Sequence, residues 1–368
     1  MNDSTQEHTA SARESRPSGR APQMSVILAT DTYDTVRAVV ERLRRQTLRQ
    51  EIELVLVAPS AAAVDSALAY REEFAAVKII EAHFSDVSTA RAVGIRSATA
   101  PLVYIAETHS YAQPHLAEIL IPLLTSSWAA VTPAIGNANP KGALSWAAFL
   151  SDYGQWAEGL PAGEIPAPPP HNAVYRRDVL LELGDRLDPA LGLGDELPRW
   201  LHDHGYRTYF EPAAQIDHVN VTRPGDWVRE RFVSGWVIAS HRAKRWSLAR
   251  RLVYVGGSVL VPAVLMWRVL PGIWQSVRSR SLPPATIPAM VAAAILKSIG
   301  ELCGYAGGAA AYAEYHMQEY EVHKLRYRLQ ICFWTRVPYE LRKASGTARF
   351  RRSSRRRGTV SVKSLHSW

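Results

Sequence analysis

Apolar and polar positions along this chain fall into alternating blocks from Met24 to about Ile135. Residues 25–29 (SVILA) are an unbroken apolar run, after which Val36, Val39, Val40 and Leu43 recur at helical spacing. Residues 53–57 (ELVLV) and 77–80 read as the next strands, 87–97 as a helix and 102–106 as a further strand. Residues 114–124 read as a helix with proline near its start, where the missing N–H costs little, and 129–135 return to strand. Strands alternating with helices predict an α/β fold with a mostly parallel sheet and right-handed crossovers.

Beyond this block the spacing changes. Residues 142–156 are an aromatic-rich helix or turn, and 160–170 form a loop holding five prolines. Residues 195–204 predict a helix stopped by Gly205, 207–210 a strand and 226–239 an amphipathic helix. Two apolar stretches follow. Residues 252–267 carry no charge over 16 positions, and 287–312 are rich in Ala and Gly but interrupted by Lys297 and Glu301. A spanning helix takes about 20 apolar residues, so the first stretch is slightly short and the second is broken near its middle. Arginines and Trp246, Trp267 and Trp274 flank them, which predicts helices lying in or dipping into a membrane interface. A buried hydrophobic helix pair is the competing expectation.

Composition sharpens this picture. With 368 residues, 47% of them apolar, the chain can bury a sizeable core. Cys303 and Cys332 are the only cysteines, so no disulfide framework is implied and a reducing compartment fits. The net charge of +9 is concentrated between Arg242 and Arg251 and in a C-terminal tail containing Arg349, Arg351, Arg352, Arg355, Arg356 and Arg357. Basic clusters on either side of apolar helices suit an anionic membrane surface. Nucleic acid is not expected as a partner, because the tail lacks interleaved aromatics and no nucleic-acid module occurs. The first 23 residues are polar and read as an unstructured leader without a signal peptide. The expected organisation is a leader over 1–23, an α/β domain over 24–240, a helical membrane-contact region over 241–335 and a basic, disordered tail over 336–368.

The candidate chemistry begins where the 102–106 strand runs into Glu107-Thr108-His109. Neither a carboxylate nor an imidazole is cheap to bury without a partner. In an open α/β sheet, ligands bind in the crevice beyond the carboxyl ends of the strands.

Four segments, in this order, resemble the nucleotide-sugar-dependent glycosyltransferases of family 2, which have a GT-A fold. SVILAT with the helix ending in RRQTL is similar to the family's opening strand and helix. STARAVGIRSATAPLVYIAETH is similar to its helix–strand–DxD block, and HNAVYRRDVLLELG to its acceptor-side segment. Glu196 through Gly205-Tyr206-Arg207 to His218 is similar to the elements that close the site. The resemblance covers about residues 24–240. It implies a GT-A-like, Rossmann-type sheet flanked by helices, and transfer of a sugar from a nucleotide-diphosphate sugar to an acceptor hydroxyl, with inversion. It implies a divalent cation, Mn²⁺ or Mg²⁺, with Glu107 and His109 at the DxD positions and His218 as third ligand. By the same analogy Arg91 supports the diphosphate, Thr30 and Asp31 border the nucleotide, and Asn172 or Arg176 lines the acceptor side. Asp195 or Glu196 supplies the general base.

This chain departs from the family in three places. Glu-Thr-His replaces DxD. Val57-Ala58-Pro59-Ser60 lacks the aspartates that usually grip the nucleoside. The usual base aspartate position falls on Gly194, one residue before Asp195, while Glu196 matches the carboxylate two residues on. With the apolar helices, the resemblance implies an enzyme at the cytoplasmic side of a membrane, peripheral or monotopic, acting on a lipid-linked or cell-envelope glycan. A catalytically silent scaffold of the same fold is the alternative.

Overall fold

Residues 11–15, 21–83, 86–124, 127–244, 246–267 and 282–329 are described by a computed structural model. The basic tail, Cys332, Trp274, and residues 1–10 and 16–20 of the expected leader lie outside them.

Among the described residues the ten strands are β1 (Ser11–Ser15), β2 (Met24–Ala29), β3 (Ile52–Ala58), β4 (Ala76–Glu81), β5 (Leu102–Ile105), β6 (Ser110–Ala112), β7 (Trp128–Asn137), β8 (Gly163–Glu164), β9 (Val174–Arg176) and β10 (Arg207–His218). Between them lie the helices α1 (Tyr33–Leu43), α2 (Val87–Ser97), α3 (Leu116–Leu124), α4 (Ala143–Tyr153), α5 (Arg177–Leu181), α6 (Leu187–Ala190) and α7 (Glu196–Asp203). A helical C-terminal region follows, made of α8 (Pro224–Ala243), α9 (Leu248–Trp267), α10 (Thr286–Gly307) and α11 (Ala311–His323).

All strands belong to one mixed sheet in the order β1-β4-β3-β2-β5-β9-β7-β10-β6, with β8 on β10. Strands β4, β3, β2 and β5 run parallel, as do β7 and β10, while β9 is inserted antiparallel between β5 and β7. Both faces are covered. On one side Val36, Val39, Val40 and Leu43 of α1 meet Val26, Leu28, Leu54 and Leu56; on the other Ala90, Ala92 and Ile95 of α2 meet Ile27, Val55 and Val57. Burial on two faces is why these parallel strands read as continuous apolar runs.

The succession β2-β3-β4 builds the sheet one way, and β5 then returns to the other side of β2. The strand order therefore reverses between β2 and β5, which opens a crevice at their carboxyl ends. Thr30 and Asp31 follow β2 there, and Glu107 follows β5.

Two features differ from the sequence expectation. Ser11–Ser15, expected as unstructured leader, pairs antiparallel with β4 at the sheet edge. An edge ladder is made by backbone groups and asks little of side-chain pattern. The C-terminal region also packs onto the α/β domain. Helices α8 and α10 approach so closely that a Cβ on Gly300 would lie 2.1 Å from the Phe232 carbonyl oxygen, and one on Gly235 the same distance from that of Lys297. Among the described residues, the two helices long and apolar enough to cross a membrane are α9 and α10; α9 is almost wholly exposed, and α10 buries one face. Trp246, expected at an interface, stacks on Tyr305 at 5.7 Å between ring centres.

Candidate functional site

Glu107, His109 and His218 converge beyond the ends of β5 and β10. The chain turns after Glu107 so that β6 runs antiparallel to the end of β10, with Ser110 opposite His218. The amide of Val219 donates to the His109 carbonyl at 3.1 Å, fixing the two imidazoles side by side. Their Nε2 atoms lie 3.1 Å apart, and each is close to Glu107 Oε2, at 3.5 Å for His109 and 3.6 Å for His218. All three side chains are buried.

The outer hydrogen bonds determine where the imidazole protons sit. Thr108 Oγ1 donates its one proton to the Val322 carbonyl at 2.8 Å, so it accepts from His109 Nδ1 at 3.2 Å. Asn137 Oδ1 accepts from the Asn139 amide, so the Asn220 atom facing it is Nδ2. Asn220 Oδ1 then faces His218 Nδ1 at 3.1 Å and accepts its proton. Both Nδ1 atoms being donors, both Nε2 lone pairs point at one another and at a carboxylate oxygen. Burial and the nearby Lys324 ammonium hold His109 neutral and pull His218 down to about 3. Burial opposes the charge on Glu107, but His171 at Oε1 and the Lys324 ammonium outweigh it, and the carboxyl stays well below its ordinary range.

Neutral imidazoles with an ionised carboxylate are the protonation state a metal requires of its ligands. A cation about 2.0–2.2 Å from three ligands places those ligands roughly 3.0–3.5 Å apart, as here. The donor set therefore fits one divalent ion, with each imidazole oriented by a hydrogen bond on its far nitrogen.

The other deeply buried carboxylate at a strand end provides a contrast. Glu53, at the opposite end of the sheet, satisfies both oxygens with the amide and hydroxyl of Thr99, Ser25 and Lys78. Glu107 Oε2 accepts from Ser110 at 2.8 Å and from Asn172, while Oε1 has only His171 Nε2 at 3.2 Å. Asn172 occupies the left-handed region at φ 59°, which a short amide tolerates. That turn begins β9 and carries His171 to the other side of Glu107. Tyr153 from α4 reaches His171 Nε2 at 3.2 Å and lays its ring against His218, 4.4 Å between centres.

Beside this triangle a cleft of about 250 Å³ opens between the α/β domain and the C-terminal helices. Arg231, Arg242, Lys297 and Lys324 line its wall together with Asp152, Asp195, Glu230 and Glu321. Arg231 is held by Asp152 at 2.8 Å and Glu230 at 2.7 Å. Burial opposes the Lys324 charge, but Glu321, Glu230 and Glu107 raise its pKa and keep it protonated.

The residues singled out in the sequence are distributed unevenly. Glu107, His109, His218 and Asn172 come together. Arg91 is buried and 3.6 Å from Glu321 of α11, with its Nε lacking a hydrogen bond. Thr30 bonds the Thr32 carbonyl, and Asp31 caps Thr32 and Thr35 and lies 3.4 Å from His323. Asp195 lines the cleft and pairs with Arg199 at 2.5 Å and Arg242 at 3.8 Å. Glu196 is not on the cleft wall; it pairs with Arg186 at 3.2 Å along an adjoining surface groove that Asp195 and Arg242 also line. Arg176 is paired with Asp178 on the surface, outside the cleft.

Sequence reasoning missed His171, Glu321, Lys324 and Asn220, and read Tyr153, with Trp146 and Trp156, as packing rather than a sugar-stacking platform. His171 precedes the quoted asparagine by one residue, and Asn220 follows His218 by two, so adjacency was the available signal. Glu321 and Lys324 offered none, because they reach the site only by the docking of α11.

No family model and no curated protein matches the sequence. Among solved structures, the fold is similar to a mannosyltransferase, PcManGT from Pyrobaculum calidifontis, in complex with GDP-Man and Mn²⁺. Identity is 17%, coverage is 77% of this chain and 88% of that chain, and the TM-score is 0.48. It is also similar to TarS 1–349 of S. aureus in complex with UDP-GlcNAc, at 13% identity, 78% and 92% coverage and a TM-score of 0.40.

Proposed function

We propose that this protein is a glycosyltransferase that moves a sugar from a nucleotide-diphosphate sugar to an acceptor hydroxyl, with inversion, at the cytoplasmic face of a membrane. The observation that carries this reading is the convergence of two imidazole lone pairs and one carboxylate at a sheet switch point, beside a polar cleft lined by charges of both signs. A divalent cation held by Glu107, His109 and His218 would neutralise charge developing on the departing diphosphate as a Lewis acid. The mixed nitrogen and oxygen donors favour Mn²⁺ over Mg²⁺.

The chain's own residues supply the rest. Ser110 and Asn172 orient Glu107, while Thr108 and Asn220 hold the imidazoles. Arg91 and Lys324 would supply charge-assisted donors to phosphate oxygens. Thr30 and Asp31 border the nucleotide at the end of β2. Asp195 is the general base: of the two adjacent carboxylates it is the one on the cleft. Burial favours its protonation, but Arg242 and Arg199 outweigh burial and keep it ionised, ready to accept the acceptor's proton. Exposed apolar side chains on α9 and α10 support a membrane-facing enzyme with a lipid-linked or cell-envelope acceptor.

The test is a thermal-shift screen of nucleotide sugars and nucleoside diphosphates with and without Mn²⁺. A rise with one donor that requires Mn²⁺ and disappears in H109A is the expected result. If no nucleotide raises the melting temperature, the scaffold reading replaces this one.

A further inference from the structure

The proposed donor side of the crevice is closed. Thr30, Arg91, Glu107, Thr108 and His109 are all buried, so a diphosphate reaches the triangle only if something moves. What covers these residues is the C-terminal turn of α11, and it sets a different group over each part. Val322 packs against the apolar cluster that holds Ala29 of β2 and Val57 of β3. His323 Nε2 lies 3.4 Å from Asp31 Oδ2. The Val322 carbonyl accepts from Thr108 at 2.8 Å, between Glu107 and His109. The Glu321 carboxylate lies 3.6 Å from the Arg91 guanidinium, with both side chains more than nine-tenths buried, and it is the foremost anion sustaining the Lys324 charge. Gln318 Oε1 accepts from the Val87 amide at 2.9 Å and ties the same turn to the start of α2.

Glu321 is thus an internal anion seated on Arg91 and Lys324, the two cations that a diphosphate would need. A carboxylate and a diphosphate cannot both occupy that seat. We propose that residues 318–324 are an autoinhibitory plug: Glu321 holds the place of the diphosphate, and a bound diphosphate displaces the turn. Naming that diphosphate as the donor's rests on the transferase reading. Glu321 and Lys324 also line the cleft, so the same displacement opens the donor side onto the acceptor side. Removing the Glu321 charge leaves Arg91 buried without this partner, which penalises the closed form and not the open one. A ligand that needs the open form then binds more tightly in proportion to the open fraction.

The test uses the full chain and pyrophosphate with Mn²⁺ as a base-free probe, measured by calorimetry, with hydrogen exchange of the amides of residues 318–324. Pyrophosphate is expected to bind E321Q at least about 10-fold more tightly than the parent. Q318A, which loses one hydrogen bond of the closed form and touches no proposed ligand, should gain about 2- to 10-fold. Bound pyrophosphate should also speed exchange across 318–324 in the parent. If E321Q does not fold, Q318A and the exchange rates decide. Equal or weaker binding by both variants, or slower exchange on binding, would make the turn a fixed wall of the site; the plug would fall and the transferase reading would stand. Pyrophosphate binding by none of the three proteins would defeat the diphosphate site, and the transferase reading with it.

Discussion

Glu107→Gln separates the proposed metal-binding role of the triangle from its part in the fold. The amide can be seated without the ion. Its oxygen takes the Oε2 position and still accepts from Ser110 and Asn172. Its NH₂ then faces His171 Nε2, which can accept once its own proton moves to Nδ1, an atom with no partner now. Two charge-assisted hydrogen bonds become neutral ones, a loss of about 1 kcal/mol each, and the buried charge and its desolvation cost disappear with them. The metal-free variant should therefore lie within about 2 kcal/mol of the parent.

The effect of metal is different in kind. At Mn²⁺ 100-fold above its dissociation constant, the parent gains about 2.7 kcal/mol. Removing the only anionic ligand and losing about 100-fold in affinity leaves roughly 0.4 kcal/mol at the same concentration. By the scaling for domains of about 150–250 residues, that is a Mn²⁺-induced rise of roughly 5–10 °C falling to about 1–2 °C. Thermal denaturation across a Mn²⁺ titration measures both, and elemental analysis of the protein counts the ions bound. A Glu107→Gln protein that keeps the full Mn²⁺ shift would refute the assignment of this triangle as the metal site.

Three further outcomes follow from the same geometry. Asp195→Asn should lower turnover by about 10²- to 10⁴-fold while leaving the nucleotide-dependent thermal shift intact; equal turnover in steady-state assays would remove Asp195 as base. Gly300→Ala places a methyl 2.1 Å from the Phe232 carbonyl and should cost about 1–3 kcal/mol in chemical denaturation, whereas no loss would mean that α8 and α10 separate readily. His241 is held above its ordinary pKa by Glu314, 3.0 Å away on α11, against the effect of burial. That contribution is complete below about pH 6.5 and is lost as pH rises through the raised folded value. Glu314→Gln should thus lower the melting temperature at pH 5.5 and not at pH 9. With the imidazole 43% exposed, screening limits the effect to under about 1 kcal/mol.

Much of the α/β domain was legible along the chain, because parallel strands buried on both faces must be runs of Val, Ile and Leu. SVILA, ELVLV and LVYIA mark β2, β3 and β5 directly. Glu107 and His109 were visible for the opposite reason, as polar groups at the end of such a run. Strand β9 escaped notice. It is three residues long, and its antiparallel insertion between β5 and β7 depends on their spacing, with no periodicity of its own. The same insertion brings His171 to Glu107, which a proline-rich loop gives no reason to expect.

The C-terminal region marks the boundary between what each source determines. Hydropathy and charge by themselves specify two long apolar helices bordered by basic clusters, because burial in hydrocarbon or in protein requires the same residues. Which of their neighbours closes the crevice is another matter. Thr108 bonds the carbonyls of Glu321 and Val322, Arg91 meets Glu321, and Asp31 meets His323, across more than 200 positions. Those pairings arise because α11 packs on α8 over the crevice, while glycines at 235, 300 and 304 let α8 and α10 nest at backbone distance. The sequence by itself determined the buried parallel strands and the candidate ligands at their ends. Tertiary packing alone decided which residues orient those ligands, which carboxylate faces the cleft, and that α11 covers the crevice.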